Sequence, residues 1–256
     1  MHLRTHTLTL RVRSVVIVVK QLPLEQTVKK VKMTLIKSIS GIRGTLENIP
    51  GESLSDYDIK QFTLAYHQEI ISKYNNQVVV IGRDARKSGK RIAKIVSDVL
   101  INEGCDIINI GLVTTPTLGV FTNKMKASGG IMISASHNPH HDNGIKLFGP
   151  DGFKLDDRIE SEIAALAKVP IALAKPHELG RARRMLDSVG RYVEFAKSTL
   201  PGRTRLDGLK LVVDCANGAA YRTAPDALYE LGAEVVPLAI MPDGFNINED
   251  CGAVHP

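Results

Sequence analysis

The sequence predicts an α/β protein of mixed, largely parallel sheets sandwiched by helices, and three observations carry that reading. Apolar runs at 77–81, 106–110 and 130–133 alternate with stripes of helical spacing. Strand–helix–strand–helix–strand is the order that right-handed crossovers fold into a parallel sheet. The same alternation begins again at 209–240, after a stretch of linker character. At 256 residues, 43% apolar and 23% charged, the chain can bury a substantial core and has an ordinary globular composition.

Taken in order, residues 1–32 stand apart. They hold seven of the 33 Lys/Arg and a single acid, Glu25, so the whole formal charge of +6 belongs to this segment. It contains a strand-like Ser14–Val19 and ends in Lys29-Lys30-Val31-Lys32. A basic tail without aromatic support is a weak binding signature. The segment reads as a basic extension outside the fold. Deleting it is therefore expected to leave the melting temperature of the rest nearly unchanged. A drop of several degrees, which reflects roughly 1 kcal/mol or more, would refute this.

Ser40-Gly41-Ile42-Arg43-Gly44 follows a first strand and reads as a loop whose two glycines let the backbone approach an anion. Ser53-Leu54-Ser55-Asp56 offers helix caps ahead of Ile59, Phe62, Tyr66 and Ile70, an apolar stripe at helical spacing. The run 77–81 is a buried strand, and Gly82-Arg83-Asp84-Ala85-Arg86-Lys87-Ser88-Gly89 is the turn after it. Ile92, Ile95, Val96, Val99 and Leu100 form the next helix face, stopped by Gly104. After the strand 106–110, Thr115-Pro116 opens another helix. A helix over 155–167, a linker over 168–184 and a helix over 185–200 lead to the second unit. There, strand 209–214 is followed by a small-residue turn, a helix at 224–231 and a strand at 234–240.

The chemistry gathers at Ser134-Ala135-Ser136-His137-Asn138-Pro139. The strand 130–133 stops there, and Pro139 biases Asn138 toward an extended backbone. Ser136 is thus expected on a tight turn at the carboxyl end of a strand, where open α/β sheets place ligands. A second strand, 145–148, brings Lys146 back toward the same edge. A serine hydroxyl needs a base or an activated electrophile before it reacts. Once phosphorylated it carries nearly two negative charges, which favour cations nearby. Hydroxyl, imidazole and amine together suit phosphoryl transfer, which depends on positioning and charge stabilisation.

This loop, with Asn143-Gly144-Ile145-Lys146 after it, resembles the phosphoserine loop of the α-D-phosphohexomutases, which move phosphate between C6 and C1 of a hexose. The resemblance runs from Met33 to Pro256. It implies domain I of that family at 33–184 and a partial domain II at 185–256. It implies that Ser136 carries the phosphoryl group and offers Mg²⁺ a phosphate oxygen. Lys146 would be the general acid/base, His137 the histidine beside the phosphoserine, and Arg43 the arginine against the site. The substrates implied are glucosamine, glucose or mannose phosphates. Ser134 at the loop's first position resembles the phosphoglucosamine mutase branch, with phosphomannomutase/phosphoglucomutase as the alternative. The family's aspartate-rich metal loop does not occur in this sequence, so the resemblance implies a truncated chain that is inactive alone.

Other function classes fare less well. There is no Trp and only 5% aromatic residues, so base-stacking platforms are not expected, and no nucleic-acid partner is expected. No apolar run reaches membrane-spanning length, so no membrane partner is expected. Three scattered cysteines, Cys105, Cys215 and Cys251, suit a reducing, cytoplasmic setting rather than a disulfide framework. A rival of another class is a metal-binding module on His137, His140, His141 and Asp142, or a non-catalytic remnant of the family.

Overall fold

The computed structural model describes residues 7–12, 15–20, 34–38, 41–167, 179–202 and 204–254. The chain falls into two units, Met1–Lys32 and Met33–Pro256. In the first unit, β1 (Thr7–Val12) pairs antiparallel with β2 (Val15–Lys20), Thr7 opposite Lys20 and Val12 opposite Val15. The sequence showed β2 but not β1. The basic cluster at 29–32 and the linker prolines Pro170 and Pro176 lie outside the described residues.

The second unit begins with β3 (Ile36–Ser38) and β4 (Gly41–Thr45), then α1 (Asp56–Glu69). It continues with β5 (Val78–Arg83), α2 (Gly89–Asn102), β6 (Asp106–Leu112) and α3 (Thr115–Lys124). Next come β7 (Gly129–Ile133), β8 (Asp142–Phe148), α4 (Asp157–Leu166) and β9 (Ala182–Arg184). The seven strands form one mixed sheet in the order β3-β4-β8-β7-β5-β6-β9. β7, β5, β6 and β9 run parallel, while β3, β4 and β8 continue the sheet antiparallel.

Alternation along the strands sorts side chains onto two faces. Val79, Ile81, Ile131, Ile133, Ile145 and Leu147 pack with Ile59, Phe62 and Tyr66 of α1, Ile92, Val96 and Leu100 of α2, and Ile163 of α4. Val80, Ile108, Ile110 and Met132 pack on the other side with Leu118 and Phe121 of α3. Each such buried side chain contributes about 1.5–3 kcal/mol. The caps follow the chemistry: Ser55 accepts from the Asp58 amide at the start of α1, and Asp156 accepts from Ile159 at the start of α4. At α3 the cap is Thr114 rather than Thr115, which is already the helix's first residue.

Two readings are corrected. Gly41–Thr45 is not a loop: it is β4, with Ile42 opposite Ile145 and Arg43 opposite Gly144. The glycines serve close approach inside the sheet. A Cβ on Gly144 would sit 2.7 Å from the Ile42 carbonyl oxygen, and one on Gly41, at φ +94°, would sit 2.3 Å from that of Ile145. The linker also ends in structure, because Ala182–Arg184 pairs with β6 through its backbone.

The remainder holds α5 (Ser188–Ser198), β10 (Lys210–Asp214), α6 (Thr223–Glu230) and β11 (Glu234–Leu238). β10 and β11 pair in parallel, Lys210 with Glu234 through Asp214 with Leu238. That is the second α/β unit expected from the sequence. Among the described residues no helix is long and apolar enough to cross a membrane, and Cys105, Cys215 and Cys251 are all free thiols.

Candidate active site

The chain leaves β5 for β6 on one side and then returns to β7 on the other. The strand order reverses at β5, and such a reversal opens a crevice at the carboxyl ends of parallel strands. The loops after β5 and β7 flank that crevice. The loop after β5 carries Asp84 and Arg86. The loop after β7 carries Ser134 to Asn138.

Arg86 is fully buried and Asp84 is 4% exposed. The Arg86 amide donates to Asp84 Oδ1 at 3.0 Å, and Nη1 pairs with Oδ2. Nη2 reaches across the crevice to the backbone carbonyls of Ser136, at 3.2 Å, and of Asn138. The buried ion pair therefore anchors the serine loop from below. This geometry is that of a support.

Ser134 and Ser136 divide their work. Ser134 is buried, its amide donates to the Gly144 carbonyl at 3.0 Å, and its hydroxyl accepts from the Ser136 amide at 3.0 Å. Ser136 is exposed and sits at φ +57°, in the left-handed region that serine seldom adopts. Strain of this kind concentrates at functional sites. The Asn138 amide donates back to the Ala135 carbonyl at 3.2 Å and closes the turn. Asn138 Nδ2 donates to Asp142 Oδ2 at 2.8 Å, and Asn143 Nδ2 donates to Ser88 Oγ, also at 2.8 Å, where α2 begins. His137 is exposed on the same loop.

Lys146 lies on β8 opposite Met132, and Arg43 on β4 lies opposite Gly144. Residues 144 and 146 share a face, so Arg43 and Lys146 rise on the same side of the sheet. Burial pushes the Lys146 ammonium below its ordinary pKa; Asp84 opposes this, while Arg43, Lys154 and Arg86 add to it. A lysine so placed holds a larger neutral fraction near neutral pH and can accept a proton. The Arg43 Nε is buried with no partner among the described residues, a donor available to an anion. The structure thus puts Ser136 and His137 on one loop and Lys146 and Arg43 on the two strands beside it.

The histidine cluster does not make a metal centre. Among the described residues no group of three or more His, Cys, Asp or Glu is arranged to hold a metal ion. His140 instead stacks edge-on with His141 and with Phe245, ring centroids 5.6 Å apart in each case. That arrangement gives the metal-module reading no support among the described residues. For Mg²⁺ the consequence is similar. The ion asks for about six oxygens in octahedral array, and no cluster of His, Cys, Asp or Glu that would supply them is found among the described residues.

Asn248 was not singled out from the sequence. Its Nδ2 donates to the same two carbonyls that Arg86 holds, Ser136 at 3.1 Å and Asn138 at 3.2 Å. Contacts 112 and 110 residues apart in sequence leave no local signal.

Residues 35–170, more than half of the chain, match the family model described as phosphoglucomutase/phosphomannomutase, alpha/beta/alpha domain I. The chain is similar to the phosphoglucosamine mutase of Paracoccus denitrificans, at 56% identity over 178 residues, 70% of this chain and 40% of that protein. It is also similar to the phosphoglucosamine mutase of Rhodospirillum centenum, at 49% identity over 223 residues, 84% of this chain and 46% of that one. A solved phosphoglucomutase/phosphomannomutase family protein from Burkholderia thailandensis shares the fold, with a TM-score of 0.65 at 24% identity, over 84% of this chain and 45% of that chain. The chain spans less than half the length of the curated relatives it matches.

Proposed function

Because the chain belongs to the phosphoglucomutase/phosphomannomutase family, we propose that it is the phosphoserine-bearing portion of a phosphohexomutase, with Ser136 as the phosphoryl carrier. The substrate proposed is a hexose phosphate, glucosamine phosphate first, since the relatives at 49–56% identity are phosphoglucosamine mutases. The parts follow the earlier division, with domain I at 33–184 and a partial domain II at 185–256. The observation that carries the reading is the exposed, left-handed Ser136 on the loop after β7, with Lys146 on the adjacent β8 and Arg43 on β4.

In this reading a sugar hydroxyl attacks the phosphorus on Ser136 and its proton passes to the neutral Lys146 amine; the P–Oγ bond to Ser136 breaks, and the freed serine oxygen takes a proton from solvent to become the hydroxyl. Arg43 stands against the charge that spreads over the phosphoryl oxygens. The sugar, now bisphosphorylated, reorients; the Ser136 hydroxyl loses its proton to solvent and attacks the other phosphate, whose bond to the sugar oxygen breaks as protonated Lys146 gives that oxygen its proton. His137, on the same loop, orients the site. Mg²⁺ is proposed for the whole protein, with a phosphate oxygen on Ser136 as this chain's contribution; bound there, it would neutralise phosphate charge. These residues alone do not complete its coordination.

The test is where phosphate is found. A protein of the relatives' full length carrying this sequence, expressed in cells and digested, is expected to yield phosphate on Ser136 and none on Ser134. The Ser134 hydroxyl is buried and already bonded to the Ser136 amide. The signal should vanish in Ser136→Ala. Mass spectrometry placing phosphate on Ser134, or an active Ser136→Ala protein, would overturn the assignment.

A further inference from the structure

The turn that presents Ser136 is held from two sides. From below, Arg86 donates to the Ser136 and Asn138 carbonyls; from the second α/β unit, Asn248 donates to the same pair. Peptide units are planar, so two fixed planes meeting at one Cα leave its Cβ a single direction. The plane before Ser136 is fixed by Ser134 Oγ, which accepts its amide at 3.0 Å. The plane after it is fixed by Arg86 and Asn248.

Asn248 is itself braced. It sits at φ +59°, a conformation that asparagine tolerates better than other non-glycine residues. Its amide donates to the Ala216 carbonyl at 2.9 Å. The residues before it are stitched together: Asp243 Oδ1 accepts from the Phe245 and Asn246 amides at 2.7 and 2.9 Å, and Asn246 Nδ2 donates to the Met241 carbonyl at 3.0 Å. The same loop reaches the far side of the crevice. The Lys87 amide donates to the Gly244 carbonyl at 3.1 Å, and Lys87 Nζ lies 4.6 Å from the centre of the Phe245 ring.

We propose that Asn248 is a positioning residue for Ser136: its carboxamide fixes the left-handed turn and ties the direction of the serine side chain to the second α/β unit. The inference deepens the reading of Ser136 as phosphoryl carrier and rests on it for its functional meaning. In this role Asn248 acts through the loop backbone, by its bonds to the Ser136 and Asn138 carbonyls.

Two variants separate the side chain from the backbone. Asn248→Gly keeps the left-handed φ without strain and removes the donor. Asn248→Asp keeps the shape and, ionised, has no N–H to give. In the 256-residue chain, hydrogen exchange read by mass spectrometry is expected to quicken roughly three- to tenfold in 135–142 for both variants, the loss of one or two hydrogen bonds. Exchange in α1 and β5 should not change. Unchanged exchange in 135–142 for Asn248→Gly would overturn the inference, as would an equal rise throughout 33–256, which marks a merely structural residue. In a protein of the relatives' length, kcat should fall several-fold with KM for the sugar phosphate unchanged; a raised KM at unchanged kcat would also overturn it. The exchange measurement needs no phosphate, so a loosened loop on a protein never phosphorylated at Ser136 would leave the clamp standing and remove only its proposed purpose.

Discussion

Replacing Arg86 by methionine is expected to cost about 3–5 kcal/mol of folding stability, the range for removing one partner of a buried ion pair. The whole stability of a domain is only about 5–15 kcal/mol, so this substitution takes a large part of it. The reason is what stays behind. Asp84, 4% exposed, keeps a carboxylate that the Arg86 guanidinium now balances, and the Ser136 and Asn138 carbonyls lose a shared donor. Arg86→Lys should recover little. A single ammonium cannot serve Asp84 on one side and two carbonyls on the other, as the planar guanidinium does. Asp84→Asn combined with Arg86→Met should be milder than the sum of the two, since the stranded charge is gone. Denaturant unfolding of the four proteins gives the cycle. A loss under about 1 kcal/mol for Arg86→Met would place the pair among ordinary surface contacts and remove the anchor from the account of this loop.

What the sequence disclosed and what it withheld divide along sequence distance. The stripes Ile59-Phe62-Tyr66 and Ile92-Val96-Leu100, the buried run ending at Ile133 and the break at Ser134 are local patterns, and each became the element it indicated. The central place of β5 was not local, because strand order depends on pairings between distant segments. Arg43 was placed in a loop because glycines on either side suggest one. Only the partner strand shows that Gly144 leaves room for β4 to pair there. Ala182–Arg184 has no apolar alternation and is exposed throughout; backbone pairing with β6 alone makes it a strand. In the site, Ser136, His137 and Lys146 were visible as one motif. Arg86 was visible as a turn residue but not as an anchor, and Asn248 was not visible at all.

Lys146→Ala is expected to leave a serine that can still carry phosphate while slowing its transfer by roughly 10²–10⁴-fold, the range for a lost general acid/base. The measurement is a single turnover: phosphorylated protein of the relatives' length, mixed with hexose monophosphate and quenched in time. Lys146→Arg should not recover the rate, because a guanidinium stays charged and cannot accept the proton. The pH dependence carries a sign that can be checked. Transfer to a sugar hydroxyl needs the neutral amine, so the rate should rise with pH as Lys146 loses its proton. Burial, Arg43, Lys154 and Arg86 all push that midpoint down, against Asp84. Removing one of the cations should therefore move it up. Arg43→Gln is expected to shift the rising limb to higher pH, and so to lower the rate most on the acid side. The phosphate's own charge raises the midpoint in both proteins and cancels in the comparison. A limb that stays in place in Arg43→Gln would separate Arg43 from Lys146, and a Lys146→Ala protein that transfers at the native rate would leave the amine without the role assigned to it.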